Sequence, residues 1–420
     1  MGKIQAITAR EILDSRGNPT VEASVMLDDG SVGIAACPSG ASTGTYEAVE
    51  LRDNDPKRYN GKGVLQAISN ITSVIAPKLQ GIDASDQKNI DSVIIALDGT
   101  NNKANLGANA MLSVSLSTAR AQATSEKKPL YKYLTKFNPD FTEIYRMPVP
   151  QMNIINGGKH ANWATDIQEY MIVPIGAKTA HDAIEMCAEV YYLLKGIMQK
   201  KGYATTVGDE GGYAPAVTDN KEPLQLITEA IEKAGYTPGK EISFAIDAAA
   251  SEFYDNGKYT LNREGKIVTS DELAKFYMNL TAKYPIISME DPFAEDDWEA
   301  FQKFTALVGG NTQIVGDDLY VTNVHRLQKG IDNKTTNSVL IKLNQIGTLT
   351  ETIDAVLLAR KNNMSIVVSH RSGETNDDFI ADFAVGMQSE FVKFGAPARG
   401  ERVAKYNRLL AIEQEINRQS

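Results

Sequence analysis

Six strand-like apolar runs in the C-terminal half of the chain end in, or just before, a charged or hydrogen-bonding side chain: Asp247, Glu290, Asp317, Lys342, His370-Arg371-Ser372 and Lys393. These positions are separated by 43, 27, 25, 28 and 23 residues, about the length of one strand plus one returning helix. A barrel of parallel strands gathers such ends on one rim, so three carboxylates, two lysines and a His-Arg-Ser would face each other around a single mouth. An acid after a strand often only caps the next helix. Three on consecutive strands, none with a basic neighbour in sequence, point instead to a cation between them. An all-oxygen set suits Mg²⁺ or Mn²⁺ better than zinc, which favours His or Cys. Asp291 and Asp318 adjoin the set and leave a one-residue ambiguity in it. A lysine inside an apolar run must reach water or point at an anion. Near divalent cations and other positive charge, Lys342 is expected to have a lowered pKa and to serve as a general base. Lys393 need only stay charged and bind an anion. Arg371 suits bidentate phosphate contact, and its loop could present backbone N–H groups at a helix start.

Other loops could add groups to that mouth. Gly208-Asp209-Glu210-Gly211-Gly212 offers a carboxylic acid where glycines allow close approach of a ligand, although an acidic turn tip reads the same way. Ser39 to Gly44 is small, follows a strand and suits a lid carrying Ser42. Gly157 to Ala161, with His160, and Gln168-Glu169 end or precede the early barrel strands. The chain has 4 histidines, so two in candidate site loops carry weight, whereas His181 and His325 have the polar helical surroundings of surface residues.

The elements that must hold these groups divide the chain in two. Residues 3 to 37 alternate as strands, with Val21, Ala23, Val25 and Leu27 on one face and Val32, Ile34 and Ala36 resuming after an Asp28-Asp29-Gly30 turn. Val64, Ile68, Ile71 and Ile75 predict a helix ending at Pro77. A second is expected from Ser85, as N-cap, to Leu97, and a third over about 108–126. Strands followed by helices indicate a separate α+β domain, residues 1–137, capping a C-terminal α/β barrel, residues 138–420, with the chemistry at the strand C-terminal ends. A net charge of -10 argues against nucleic acid or an anionic membrane surface as partner, but not against a small anion in a local cationic pocket. Two cysteines, Cys37 and Cys187, make no disulfide framework. With no apolar run of membrane length and no signal-peptide pattern at the start, a cytoplasmic location is expected.

At this level of detail the chain resembles the enolase family. The matching stretches are Asp14 to Thr20, Pro38 to Gly44, Gly208 to Gly212, Asp247 to Phe253, Met289 to Pro292, Val315 to Leu319, Lys342 to Thr350, Ser369 to Thr375 and Gly400 to Arg408, in the family's order. The resemblance implies reversible dehydration of 2-phosphoglycerate to phosphoenolpyruvate in glycolysis and gluconeogenesis, with two Mg²⁺ per site. Asp247, Glu290 and Asp317 would hold the first ion, and Ser42, on the lid, would help bind the second. Lys342 would take the C2 proton, and Glu210, helped by Glu169, would act as general acid towards the C3 hydroxyl. Gln168, His160, His370, Arg371, Ser372 and Lys393 would position the substrate. The resemblance further implies an atypical barrel with one antiparallel early strand, and a homodimer or larger homo-oligomer. A side role at the cell surface stays open.

Departures from the family pattern are Cys37, Tyr213, Phe394 and residues 162–165. Phe394, after Lys393, is expected to crowd the site wall. Two other functions compete. One is a superfamily member that abstracts the α-proton of a non-phosphorylated acid, which would favour a Lys-x-Lys pair on an early barrel strand; Tyr170 to Ile175 contains no lysine. The other is a non-catalytic adhesion protein, which has no need of the charged groups above.

Overall fold

The computed structural model describes residues 2–41 and 43–418. Ser42 and the side chain of His160 lie outside the described residues. The N-terminal part is a three-stranded antiparallel sheet, Ile4–Leu13, Pro19–Leu27 and Val32–Ala36, backed by helices. Val21, Ala23, Val25 and Leu27 are fully buried, as their alternation predicts. The third strand departs from expectation. Val32 and Ile34 are exposed, and it is Gly33 and Ala35 that turn inward. The cause is the helix Ala108–Ser125, which lies so close that a Cβ on residue 33 would sit 2.1 Å from the Ser117 carbonyl oxygen. Only small residues fit beneath that backbone, so the large ones face out.

Two helix boundaries also differ. The helical stretch beginning at Leu65 runs on through Pro77 to Leu79, after a wide π turn over Ile71–Ile75. Pro77 falls in the first turn of its last segment, where a missing N–H is tolerated. The next helix is Gln87–Asp98, and Asp86, not Ser85, caps it by accepting from the Asn89 N–H.

The C-terminal part is a barrel. Its sheet runs Val149–Pro150, Phe391–Lys393, Ser365–Ser369, Ser338–Ile341, Gln313–Gly316, Ile286–Glu290, Ser243–Asp247, Glu169–Val173 and Met152–Asn156. The first and last segments are consecutive in the chain, and the Gln151 N–H donates to the Val392 carbonyl at 2.7 Å, which closes the circle. Glu169–Val173 is antiparallel to both neighbours, and the strands from Ser243 onward are parallel. This matches the atypical order that the family resemblance implies. Two helices, Ala180–Lys200 and Glu222–Lys233, intervene before strand and helix alternate regularly.

That topology positions the site. Parallel strands present their C-terminal residues, Asp247, Glu290 and Lys393, on one rim. The antiparallel strand reaches the same rim with its first residue, so Glu169 pairs in register with Asp247. Below the rim the barrel is filled by small apolar clusters, Met171, Val173 and Ala245 on one side and Val315, Leu340 and Val367 on the other.

Candidate active site

One cavity at the rim is lined by Gln168, Glu169, Glu210, Asp247, Asp291, Asp317, Asp318, Lys342, His370, Arg371, Ser372 and Lys393. Residues from distant parts of the sequence are thus brought together, and Glu290 stands directly behind Lys393. Six carboxylates share this lining with two lysines and an arginine.

On one side is an acid wall. Lys393 Nζ lies 2.8 Å from both Glu290 oxygens, 3.0 Å from Asp247 Oδ2 and 3.1 Å from Glu169 Oε2. Burial works against the Lys393 charge, but Asp247, Glu169 and Glu290 outweigh it and raise the pKa far above the usual range. The anions Lys393 binds here are therefore the barrel's own carboxylates. Asp317 Oδ2 accepts from Lys342 Nζ at 2.5 Å, and Oδ1 from Gln345 Nε2 at 2.8 Å. Lys342 departs from expectation: burial and Arg371 act to lower its pKa, yet the Asp317 charge prevails and the net shift is upward.

The two adjacent acids stand close to Asp317. Asp291, Asp317 and Asp318 bring carboxylate oxygens within 4.8 Å of one another. Both Asp291 oxygens are engaged by backbone, accepting from the Asp317 N–H at 2.9 Å and the Asp318 N–H at 2.7 Å. Asp291 thus braces the turn that aims Asp317. Burial, then the charges of Asp318 and Asp317, push the Asp291 pKa well up. Burial and Asp247 do the same to Glu290, and burial and Asp317 to Asp318. Carboxylates so crowded fit a divalent cation, because one ion offsets their repulsion and oxygen is the donor a hard ion takes.

A second group in the lining surrounds Glu210. Glu210 is 3 % exposed and accepts from Asn153 Nδ2 at 3.0 Å on Oε2. Ser372 Oγ lies 3.4 Å from its other oxygen, and His370 Nε2 3.4 Å from Oε2. Gly211, at φ +87°, makes the turn, and a Cβ there would meet the Ala398 carbonyl at 2.8 Å. Burial depresses the His370 pKa to about 3, helped by Arg402 and Lys393 over the opposing pull of Glu210. The imidazole is neutral at ordinary pH. Glu169 has its pKa raised by burial and then by Glu210. Gln168 Oε1 is buried with no hydrogen-bond partner among the described residues. A ligand donor could satisfy it.

Arg371 closes the third side. Its NH1 and NH2 grip the Glu47 carboxylate at 2.8 and 3.0 Å, and NH1 also reaches Asn344 Oδ1 at 3.0 Å. The His370-Arg371-Ser372 loop does not open a helix, because the next one starts at Phe379. Instead Ser39 and Gly373 exchange backbone hydrogen bonds at 2.7 and 2.8 Å, tying the glycine-rich N-terminal loop to this one.

Residues 4–134 match the family described as "Enolase, N-terminal domain", and residues 144–420 match "Enolase, C-terminal TIM barrel domain". The chain belongs to the enolase family. It is a lyase of the enolase superfamily, of the general enolase dehydratase type, and enolases are metal dependent. Among the described residues, no helix is long and apolar enough to cross a membrane.

This enolase-family chain uses residues that its sequence did not single out. Asn153 was visible as a polar residue in an apolar strand, and Gln345 and Arg402 lie inside matched motifs. Glu47 gave no signal beyond proximity to the loop. Phe394 does not crowd the site: it alternates away from Lys393 and packs on Tyr406 at 5.9 Å between ring centroids. His181 and His325 are exposed on helices. Tyr213 stacks on Tyr191 at 4.4 Å, outside the cavity.

Proposed function

We propose that the protein interconverts 2-phosphoglycerate and phosphoenolpyruvate with Mg²⁺, in glycolysis and gluconeogenesis. The observation that carries this reading is a lysine amine and a glutamic acid lining one cavity together with a carboxylate cluster and an arginine. Asp247, Glu290 and Asp317 would hold one Mg²⁺, and Ser42 would contribute to a second. Bound there, the metal would supply positive charge where a second negative charge develops on the substrate carboxylate.

The chain's own residues do the rest. Lys342 takes the C2 proton, and Glu210 gives its proton to the C3 oxygen, which leaves as water; one proton is gained and one lost by the protein. Lys342 must be neutral to do this. Its ammonium is held by Asp317 and favoured by Glu290, so drawing both carboxylate charges onto a cation would leave burial, Arg371 and Lys393, which lower the lysine pKa. The metal ligand and the base are thereby coupled. A Lys or His base with Mg²⁺ is general to the enolase superfamily. Glu169 shares the acid's environment. Gln168, His160, His370 and Ser372 orient the substrate, Arg371 takes its phosphate, and Lys393 holds the acids in place. A cytoplasmic homodimer or larger homo-oligomer accompanies this reading.

The test is absorbance of phosphoenolpyruvate formed from 2-phosphoglycerate, stopped by chelation and restored by Mg²⁺. No product with metal present would discard the substrate assignment and favour a non-phosphorylated acid.

A further inference from the structure

Arg402 is fully buried on the helix Gly400–Asn417 and does not line the cavity. Its guanidinium nevertheless ties the two proton-handling loops together. NH1 donates to the Arg371 carbonyl at 2.5 Å and meets His370 Nδ1 at 2.6 Å. NH2 donates to the Ser372 carbonyl at 2.6 Å and the Asp209 carbonyl at 3.0 Å. Gly395, at φ +86°, makes room, since a Cβ there would come within 2.9 Å of His370 Cε1 and 3.0 Å of Arg402 Cδ.

A guanidinium can only donate, and it stays charged at every accessible pH. His370 Nδ1 must then accept, and the single proton of a neutral imidazole falls on Nε2, which faces Glu210 Oε2 at 3.4 Å. We propose that Arg402 is a positioning residue that locks His370 as its Nε2–H tautomer, so that the imidazole offers Glu210 a donor and never a base. The alternative tautomer would turn a lone pair towards Glu210 and compete for the acid's proton. Asn153 Nδ2 donates to Oε2 at 3.0 Å, and His370 Nε2, buried without a hydrogen bond among the described residues, stands 3.4 Å from the same oxygen, so a protonated Glu210 keeps its proton on Oε1. The assignment of Glu210 as general acid rests on the function proposed above; the tautomer itself does not.

The test is ¹⁵N NMR of the full-length protein labelled at histidine, with His370 assigned by comparison with His370→Asn. Without substrate, between pH 6 and 8, the expected spectrum shows Nδ1 unprotonated and Nε2 protonated. An Nδ1–H tautomer or an imidazolium overturns the proposal, and so would rapid exchange between tautomers. Arg402→Gln should lose the tautomer preference, slow dehydration about 10- to 100-fold with KM little changed, and spare exchange of the C2 proton. A folded Arg402→Gln protein with wild-type tautomer and rate also overturns it. The wild-type spectrum decides even where this variant does not fold. A locked Nε2–H tautomer in a protein inactive on 2-phosphoglycerate would sink the substrate assignment alone.

Discussion

Two buried aspartates in different parts of the molecule make similar hydrogen bonds and are shifted in opposite directions. Asp98, at the end of an N-terminal-domain helix, accepts from the backbone N–H groups of Thr100, Asn105 and Leu106 at 3.0, 3.0 and 2.7 Å. Burial alone would raise its pKa, but these bonds and the Thr100 hydroxyl prevail and lower it. Asp291, at the barrel mouth, accepts from two backbone N–H groups and is pushed well up by burial and its acidic neighbours. The difference is company. Asp98 organises a loop; Asp291 belongs to a cluster whose like charges oppose folding and whose repulsion a bound cation would offset.

The largest effect should come from breaking the mouth's chemistry. Lys342→Ala is expected to lower dehydration by at least about 10²–10⁴-fold and abolish exchange of the C2 proton, while metal binding survives. Exchange that persists would require a different base. Glu210→Gln should slow dehydration by a similar factor yet leave exchange measurable. Loss of both would move Glu210 out of the acid's role.

Stability variants separate the two regions directly. Asp98→Ala strips three backbone donors of their acceptor and should cost about 2–4 kcal/mol in urea unfolding. Asp318→Asn removes one like charge from the mouth, and in chelated protein should leave stability unchanged or raise it by about 1 kcal/mol. Equal losses in both variants would show that the mouth is not electrostatically strained.

The unequal legibility of these regions has the same physical origin. Asp247, Glu290, Asp317, Lys342 and Lys393 could be read because strand spacing fixes where strand ends meet, and charge at such an end is unusual. Their pairing could not. Whether Lys342 meets a cation or Asp317 depends on a distance of a few ångström, and sequence spacing has no such resolution. The inward turn of Gly33 and Ala35 was hidden for a related reason: alternation gives two faces, but only the approach of Ala108–Ser125 decides which one is covered. Pro77 misled because its place in a helical turn, rather than its presence, determines whether a helix ends. Arg402 was legible only as part of a matching stretch, since nothing local announces that a helix arginine will reach three carbonyls and an imidazole.

The last contrast is in when each region unloads as pH falls. His370 has a folded pKa of about 3, against about 6.5 unfolded. Between those values the unfolded chain binds more protons, so stability is lost as pH falls through that window, by up to about 1.4 kcal/mol per pH unit. Asp98 is lowered below its ordinary 3.8, so its contribution persists above that value and is lost only as pH falls through the lower folded one. In chelated protein, His370→Gln should therefore flatten the stability profile between about pH 6 and 4, whereas Asp98→Ala should shift it by a constant amount there and alter its slope only below pH 4. An unchanged wild-type slope in His370→Gln would mean that the imidazole is protonated in the folded mouth.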